Sequence, residues 1–200
     1  MAWNILIVDD DPDIHALVVA CLEGMRYRGR PVCLLHAMNA AEADDLLAAR
    51  TDVAVALIDV QMETSDAGLR LVRRLRQSER HWHMRVVLLT GQSARAPEWL
   101  TTRDWDLDGY LDKAELSEPR LRSMCYSALR GHDLVRRLDD SRMAVLQAVQ
   151  ELTQLDTDDR LTSEVGAVIA SLLGATERMR DDTVWSWQSP EPAASEPSDR

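Results

Sequence analysis

Five short apolar runs, each followed by a segment of helical period, constrain this chain more than any other feature. The runs are Asn4–Asp9, Val32–His36, Val53–Asp59, Val86–Thr90 and Gly109–Leu111. The helical patterns are Asp13–Met25, Ala40–Arg50, Gly68–Gln77, Pro97–Arg103 and Glu118–Arg130. The apolar runs are continuous rather than alternating, as in strands covered on both faces. Strands that alternate with helices need right-handed crossovers, and hence a parallel sheet. The expected fold class is α/β, with five parallel strands in the order 2-1-3-4-5 and an all-α C-terminal extension.

That flavodoxin-like order sets the carboxyl ends of strands 1 and 3 side by side around a crevice. Asp9, Asp10 and Asp11 close the first strand and Asp59 closes the third. Carboxylates crowded in this way repel, and a divalent cation with oxygen ligands relieves them. Mg2+ suits the site, because it accepts a few carboxylates and keeps waters for a phosphoryl oxygen. Asp11 reads instead as a solvent-facing or helix N-terminal charge. Thr90 and Lys113 fall at or just past the ends of later strands, where a hydroxyl and an ammonium can each meet a phosphoryl oxygen. Of the 23 basic residues, Lys113 is the only lysine, so its compact ammonium is singled out for chemistry that arginine's planar fork cannot do.

Ile5 to Asp13, Leu57-Ile-Asp59, Val87-Leu-Leu-Thr90 and Gly109-Tyr-Leu-Asp-Lys113 together resemble the receiver domains of bacterial response regulators over residues 3–130. The resemblance implies a phosphoacceptor at Asp59, switch residues at Thr90, Tyr110 and Lys113, and Mg2+ held by Asp9, Asp10, Asp59 and the backbone carbonyl of Gln61. It implies a cytoplasmic two-component regulator that takes its phosphoryl group from a sensor histidine kinase or phosphotransfer protein. Such a chain is no enzyme beyond its own phosphotransfer and dephosphorylation. The phosphoryl group would bias the surface formed by the fourth helix, last strand and following helix. Two departures stand out. Glu63 and Ala114 occupy positions where the family usually has proline, and the loop Gln61–Gly68 is one residue longer than is usual in the family. These departures resemble a subgroup in which the receiver precedes a GAF-like module and HD-GYP-type cyclic-di-GMP phosphodiesterases. A rival reading takes Asp9 as the nucleophile and Asp11 as the general acid of a HAD-type phosphatase, but it leaves Asp59 without a role.

The expected domains are 1–130 for the receiver, 131–180 for a helical linker and 181–200 for a Pro/Ser/Glu-rich tail unable to build a core. Val135, Leu138, Arg142, Val145, Val149 and Leu152 form one seam of three-four spacing, and Leu161, Val165, Val168, Leu172, Ala175 and Met179 form another. The seams fit either a helical hairpin or a homodimer through residues 135–179, and periodicity does not separate the two. Gly131 is a candidate hinge before the first seam. His132-Asp133 spells a metal-phosphohydrolase dyad, but no histidine follows it, so an exposed helical pair is expected; His81 and His83 are expected in a surface loop. The net charge of −11 excludes a general nucleic-acid binder, so no DNA partner is expected. No apolar run reaches membrane-spanning length, and the N-terminus enters a strand without a signal-like segment. Cys21, Cys33 and Cys125 fit no metal spacing and read as free thiols.

Overall fold

The computed structural model describes residues 2–91 and 105–155. In chain order the elements are β1 (Trp3–Val8), α1 (Pro12–Leu22), β2 (Arg26–Tyr27), β3 (Arg30–Ala37), α2 (Ala40–Ala49), β4 (Val53–Asp59), α3 (Ala67–Gln77), β5 (Arg85–Thr90), β6 (Gly109–Asp112) and α4 (Glu118–Leu155). The sheet runs β2-β3-β1-β4-β5-β6. Its five parallel strands, β3-β1-β4-β5-β6, keep the expected order. Among the described residues the count of five strands is corrected to six by β2, two residues long and antiparallel to β3 at the edge. Arg28 (φ 50°) and Gly29 (φ 78°) make the turn between β2 and β3. Both central residues at positive φ are what a tight hairpin requires, but Arg-Gly lacks the asparagine or aspartate that advertises one.

Central strands β1 and β4 are buried along their whole length, so each alternate side chain feeds a different core. Ile5, Ile7, Val55, Leu57, Val87 and Leu89 pack with Val18 and Leu22 of α1 and with Leu121, Cys125 and Leu129 of α4. Leu6, Val8, Ala56, Ile58, Val86 and Leu88 pack with Ala43 and Leu47 of α2 and with Leu71, Val72 and Leu75 of α3. Two dry layers explain the continuous apolar runs.

The helix expected at 118–130 continues without a break through Gly131 to Leu155. The chain divides into compact units at Met1–Val145 and Leu146–Arg200. The helix expected at Pro97–Arg103, the seam Leu161–Met179 and the tail at 181–200 lie outside the described residues. Within the first unit the 135–145 part of the seam is split between environments. Val135 and Arg142 are half-buried, whereas Leu134, Leu138 and Val145 are exposed. Among the described residues, no helix is long and apolar enough to cross a membrane.

His132 and Asp133 are buried rather than exposed, because α4 still lies against the sheet end at this point. His132 Nδ1–H donates to the His83 backbone oxygen (2.9 Å), and Asp133 joins Arg28 (2.9 Å) and Arg137 (3.0 Å). His81 is likewise buried. Burial pulls the His132 imidazole down to about 4. The unfolded chain therefore binds a proton that the folded one refuses, and stability present above pH 6.5 is lost as the pH falls toward 4. The expected loss from this group is about 3 kcal/mol. Urea unfolding across that window should show it, and H132N, which keeps an N–H donor, should flatten the slope. An equal slope in both proteins would assign the effect elsewhere.

Candidate functional site

The acidic residues meet because β1 and β4 are neighbours that end together, Val8 standing in register with Ile58. Asp9 and Asp59 are buried and Asp10 is exposed, and one ligand oxygen from each lies within 4.8 Å of the others. Lys113, in the short 3-10 turn after β6, places Nζ 2.8 Å from Asp9 Oδ2 and 2.9 Å from Asp59 Oδ2. The buried Asp9 Oδ2 has the Lys113 ammonium as its ion-pair partner. Asp9 Oδ1 accepts from the Asp11 backbone N–H (3.0 Å). Asp11 is the N-cap of α1 and accepts from Asp13 N–H, the helix-terminal role expected of it.

Burial raises the Asp59 carboxyl above its usual range; Lys113 opposes this, the Asp9 charge adds to it, and the Gln61 backbone N–H offsets part of it. For Lys113, burial alone would lower the ammonium, but its two carboxylate partners lift it above the ordinary lysine value. The site is thus one cation balancing two desolvated anions, with a third carboxylate at the rim.

Thr90 is buried at the end of β5, one residue past Leu89, which is registered against Asp59. Gln61 is exposed two residues after Asp59. Tyr110 stands apart from the carboxylates, 57% exposed, in a groove of about 420 Å³ lined by Asp108, Arg120, Ser123, Met124 and Ser127. Both unusual loop residues have structural work. Glu63 Oε1 accepts from Ala40 N–H (2.8 Å), joining the loop after β4 to the first turn of α2. Ala114 N–H donates to Asp112 Oδ1 (2.8 Å), so an aspartate cap sets the lysine turn, and all described peptide bonds are trans.

Two participants escaped the sequence reading. Gly68, in the first turn of α3, lies so close to β4 that a Cβ on it would stand 1.9 Å from the Asp59 backbone oxygen. The available hint was a glycine closing an acidic loop and opening an apolar helix. His15, six residues after Asp9, sends Nε2 to the Asp9 backbone oxygen at 2.8 Å.

A mostly parallel α/β sheet with these carboxylates, a hydroxyl and an ammonium at one edge has the architecture of a receiver domain. The response regulator receiver domain model matches residues 5–126, and the chain belongs to that family. It is 34% identical over 170 residues to 3'3'-cGAMP-specific phosphodiesterase 2 of Vibrio cholerae serotype O1 (strain ATCC 39315 / El Tor Inaba N16961). The alignment covers 85% of this chain but 33% of that relative, so the chain spans about a third of the relative's length. A cyclic-dinucleotide phosphodiesterase as relative agrees with the subgroup that the sequence resembles. Among solved structures, a sensor protein from Polaromonas sp. JS666 is 28% identical, with a TM-score of 0.51 over 66% of this chain and 96% of that one. A CheY-like response regulator receiver domain protein from Methanospirillum hungatei JF-1 shares the fold at 21% identity, TM-score 0.53, covering 66% of this chain and 98% of that one. The comparisons give the phosphatase reading no support.

Proposed function

We propose that this chain is a cytoplasmic response regulator that accepts a phosphoryl group on Asp59 from a sensor histidine kinase or phosphotransfer protein. The observation that carries the reading is the buried Asp59 carboxylate, tied through one ammonium to Asp9 and beside the rim carboxylate of Asp10. Mg2+–oxygen bonds of about 2.1 Å require ligand oxygens about 3–4 Å apart. Three carboxylates already within 4.8 Å reach that spacing by small side-chain rotations. Asp9, Asp10, Asp59 and the Gln61 carbonyl would hold the ion, which supplies charge neutralisation for an incoming phosphoryl group. Asp59 attacks phosphorus as the bond to the donor histidine nitrogen breaks. The desolvation that raises its carboxyl also strips water from its oxygens. Lys113 then exchanges a carboxylate contact for a phosphoryl oxygen, Thr90 donates to another, and Tyr110 follows the change at the surface. Uptake of one phosphoryl mass from acetyl phosphate, dependent on magnesium, tests the reading.

Output in this proposal is by protein contact rather than catalysis or DNA binding. The chain after Gly131 carries 14 acidic and 7 basic residues, which disfavours DNA. The likeness to the Vibrio relative extends over more residues than the receiver match, which supports a role for residues beyond the receiver. Homodimerisation through 135–179 is supported by Leu134, Leu138 and Val145, exposed at four- and seven-residue spacing on one stripe of α4. Sedimentation of the full chain should show weak self-association, tightened by beryllofluoride. L138E should weaken it about ten-fold, the scale of one buried leucine. A chain that stays monomeric at tens of micromolar in both states would make this stripe no dimer seam.

A further inference from the structure

Beside the carboxylates lies a histidine pair that the phosphoacceptor chemistry leaves unused. His15 is buried on α1, and His36 is exposed near the end of β3. Their Nδ1 atoms are 2.8 Å apart, while Nε2 of His15 is 2.8 Å from the Asp9 backbone oxygen. The partners dictate where the hydrogens sit. A carbonyl oxygen only accepts, so His15 Nε2 carries a hydrogen. In the neutral ring Nδ1 is then bare, and the hydrogen between the two rings belongs to His36 Nδ1. Burial, and then the neighbouring His15, hold the His36 imidazole below its ordinary range, which favours its neutral ring. Donation therefore runs one way, from His36 to His15 to Asp9.

What this relay grips is a peptide plane. The Asp9 carbonyl belongs to the planar amide that joins Asp9 to Asp10. Asp9 N–H donates to the Ala37 oxygen (3.2 Å), so with His15 on its carbonyl the backbone of Asp9 is fixed from both sides. The direction in which the chain leaves toward Asp10 is then fixed too. Asp10 is exposed, and packing does little to place it. The geometry points to His15 and His36 as a positioning pair that sets the Asp9–Asp10 peptide, and with it the spacing of two carboxylates, for a divalent cation. The inference rests on Asp9 and Asp10 being magnesium ligands.

Two measurements on the full chain test it. In the metal-free protein, long-range proton–nitrogen correlation of the imidazoles should show His15 with hydrogen on Nε2 and His36 with hydrogen on Nδ1. Magnesium titration by calorimetry should then show H15L binding about ten-fold more weakly, the scale of losing a partner behind a metal ligand. H15Q, which keeps an N–H near the place of Nε2, should recover most of that loss. H36L should weaken binding by less, and H36N, with an N–H near the place of Nδ1, should recover it. His36 with its hydrogen on Nε2 would overturn the relay. Magnesium binding that is normal in a folded H15L protein would overturn the positioning role while leaving the phosphoacceptor reading intact. Wild-type protein that binds no magnesium would remove that reading, and the role with it.

Discussion

D59N should take up no phosphoryl group from acetyl phosphate under conditions that label the wild-type chain fully. An amide oxygen is a far weaker nucleophile than a carboxylate and carries no charge to join a cation. The loss should not come from unfolding. Asp59 is held buried against its desolvation cost and against the like charge of Asp9, and the amide removes both penalties. Lys113 keeps its other partner, Asp9 Oδ2, at 2.8 Å. Chemical unfolding of D59N should therefore show stability equal to or above that of the wild type, while intact mass shows no label. A label that survives in D59N but vanishes in D9N would move the nucleophile to Asp9 and revive phosphatase-like chemistry.

Alanine at Gly68 and alanine at Gly131 should change stability in opposite directions. Both glycines are in helices, where replacing glycine by alanine favours the helix by about 1 kcal/mol. At Gly131 the new Cβ meets Arg85 side-chain atoms at 3.5 Å and beyond, an ordinary contact, so the helix term prevails. At Gly68 the new Cβ would lie 1.9 Å from the Asp59 oxygen and 2.8 Å from its carbonyl carbon. Those are backbone atoms of a central strand, which cannot step aside as a flexible side chain does. Overpacking of this kind costs about 3 kcal/mol, more than the helix term returns. G131A should raise the urea midpoint. G68A should lower it and weaken magnesium binding, since relief of the clash must move either α3 or the strand end that bears Asp59. Stability unchanged by G68A would mean that α3 docks more loosely than its contacts imply, and a lower midpoint for G131A would restore the hinge expected at that position.

The legible parts of this molecule are those written in local pattern. The five parallel strands stood out because two covered faces demand uninterrupted apolar residues, and the carboxylates followed because adjacent strand ends must share a crevice. Lys113 announced itself by being the only lysine. β2 did not, since two residues, Arg26 and Tyr27, have no period. Burial of His132 and Asp133 depends on α4 staying against the sheet after the last receiver turn, and periodicity does not reveal where a helix leaves its body. Gly68 and the His15–His36 pair are constraints through space, set by atoms 9 and 21 residues away along the chain. The sequence seam put Val135 and Arg142 with Leu138 and Val145, whereas exposure separates them, because neighbouring stripes of one helix share much of their spacing.

The unbroken course of α4 through Gly131 makes the reach and the phase of its exposed stripe inseparable. Each residue of an α-helix advances about 1.5 Å and turns about 100°. With His132 and Asp133 clasped to the sheet end, the helix has a fixed zero of rotation. One residue inserted after Asp140 would swing Val145 about 100° away from the line of Leu134 and Leu138 while moving it only about 1.5 Å. Seven inserted residues would lengthen the helix by about 10 Å and return the stripe close to its original bearing. Length between the receiver and this exposed stripe can thus drift in evolution only in near-heptad steps if the bearing is to survive, a quantised spacing that a flexible tether would never impose.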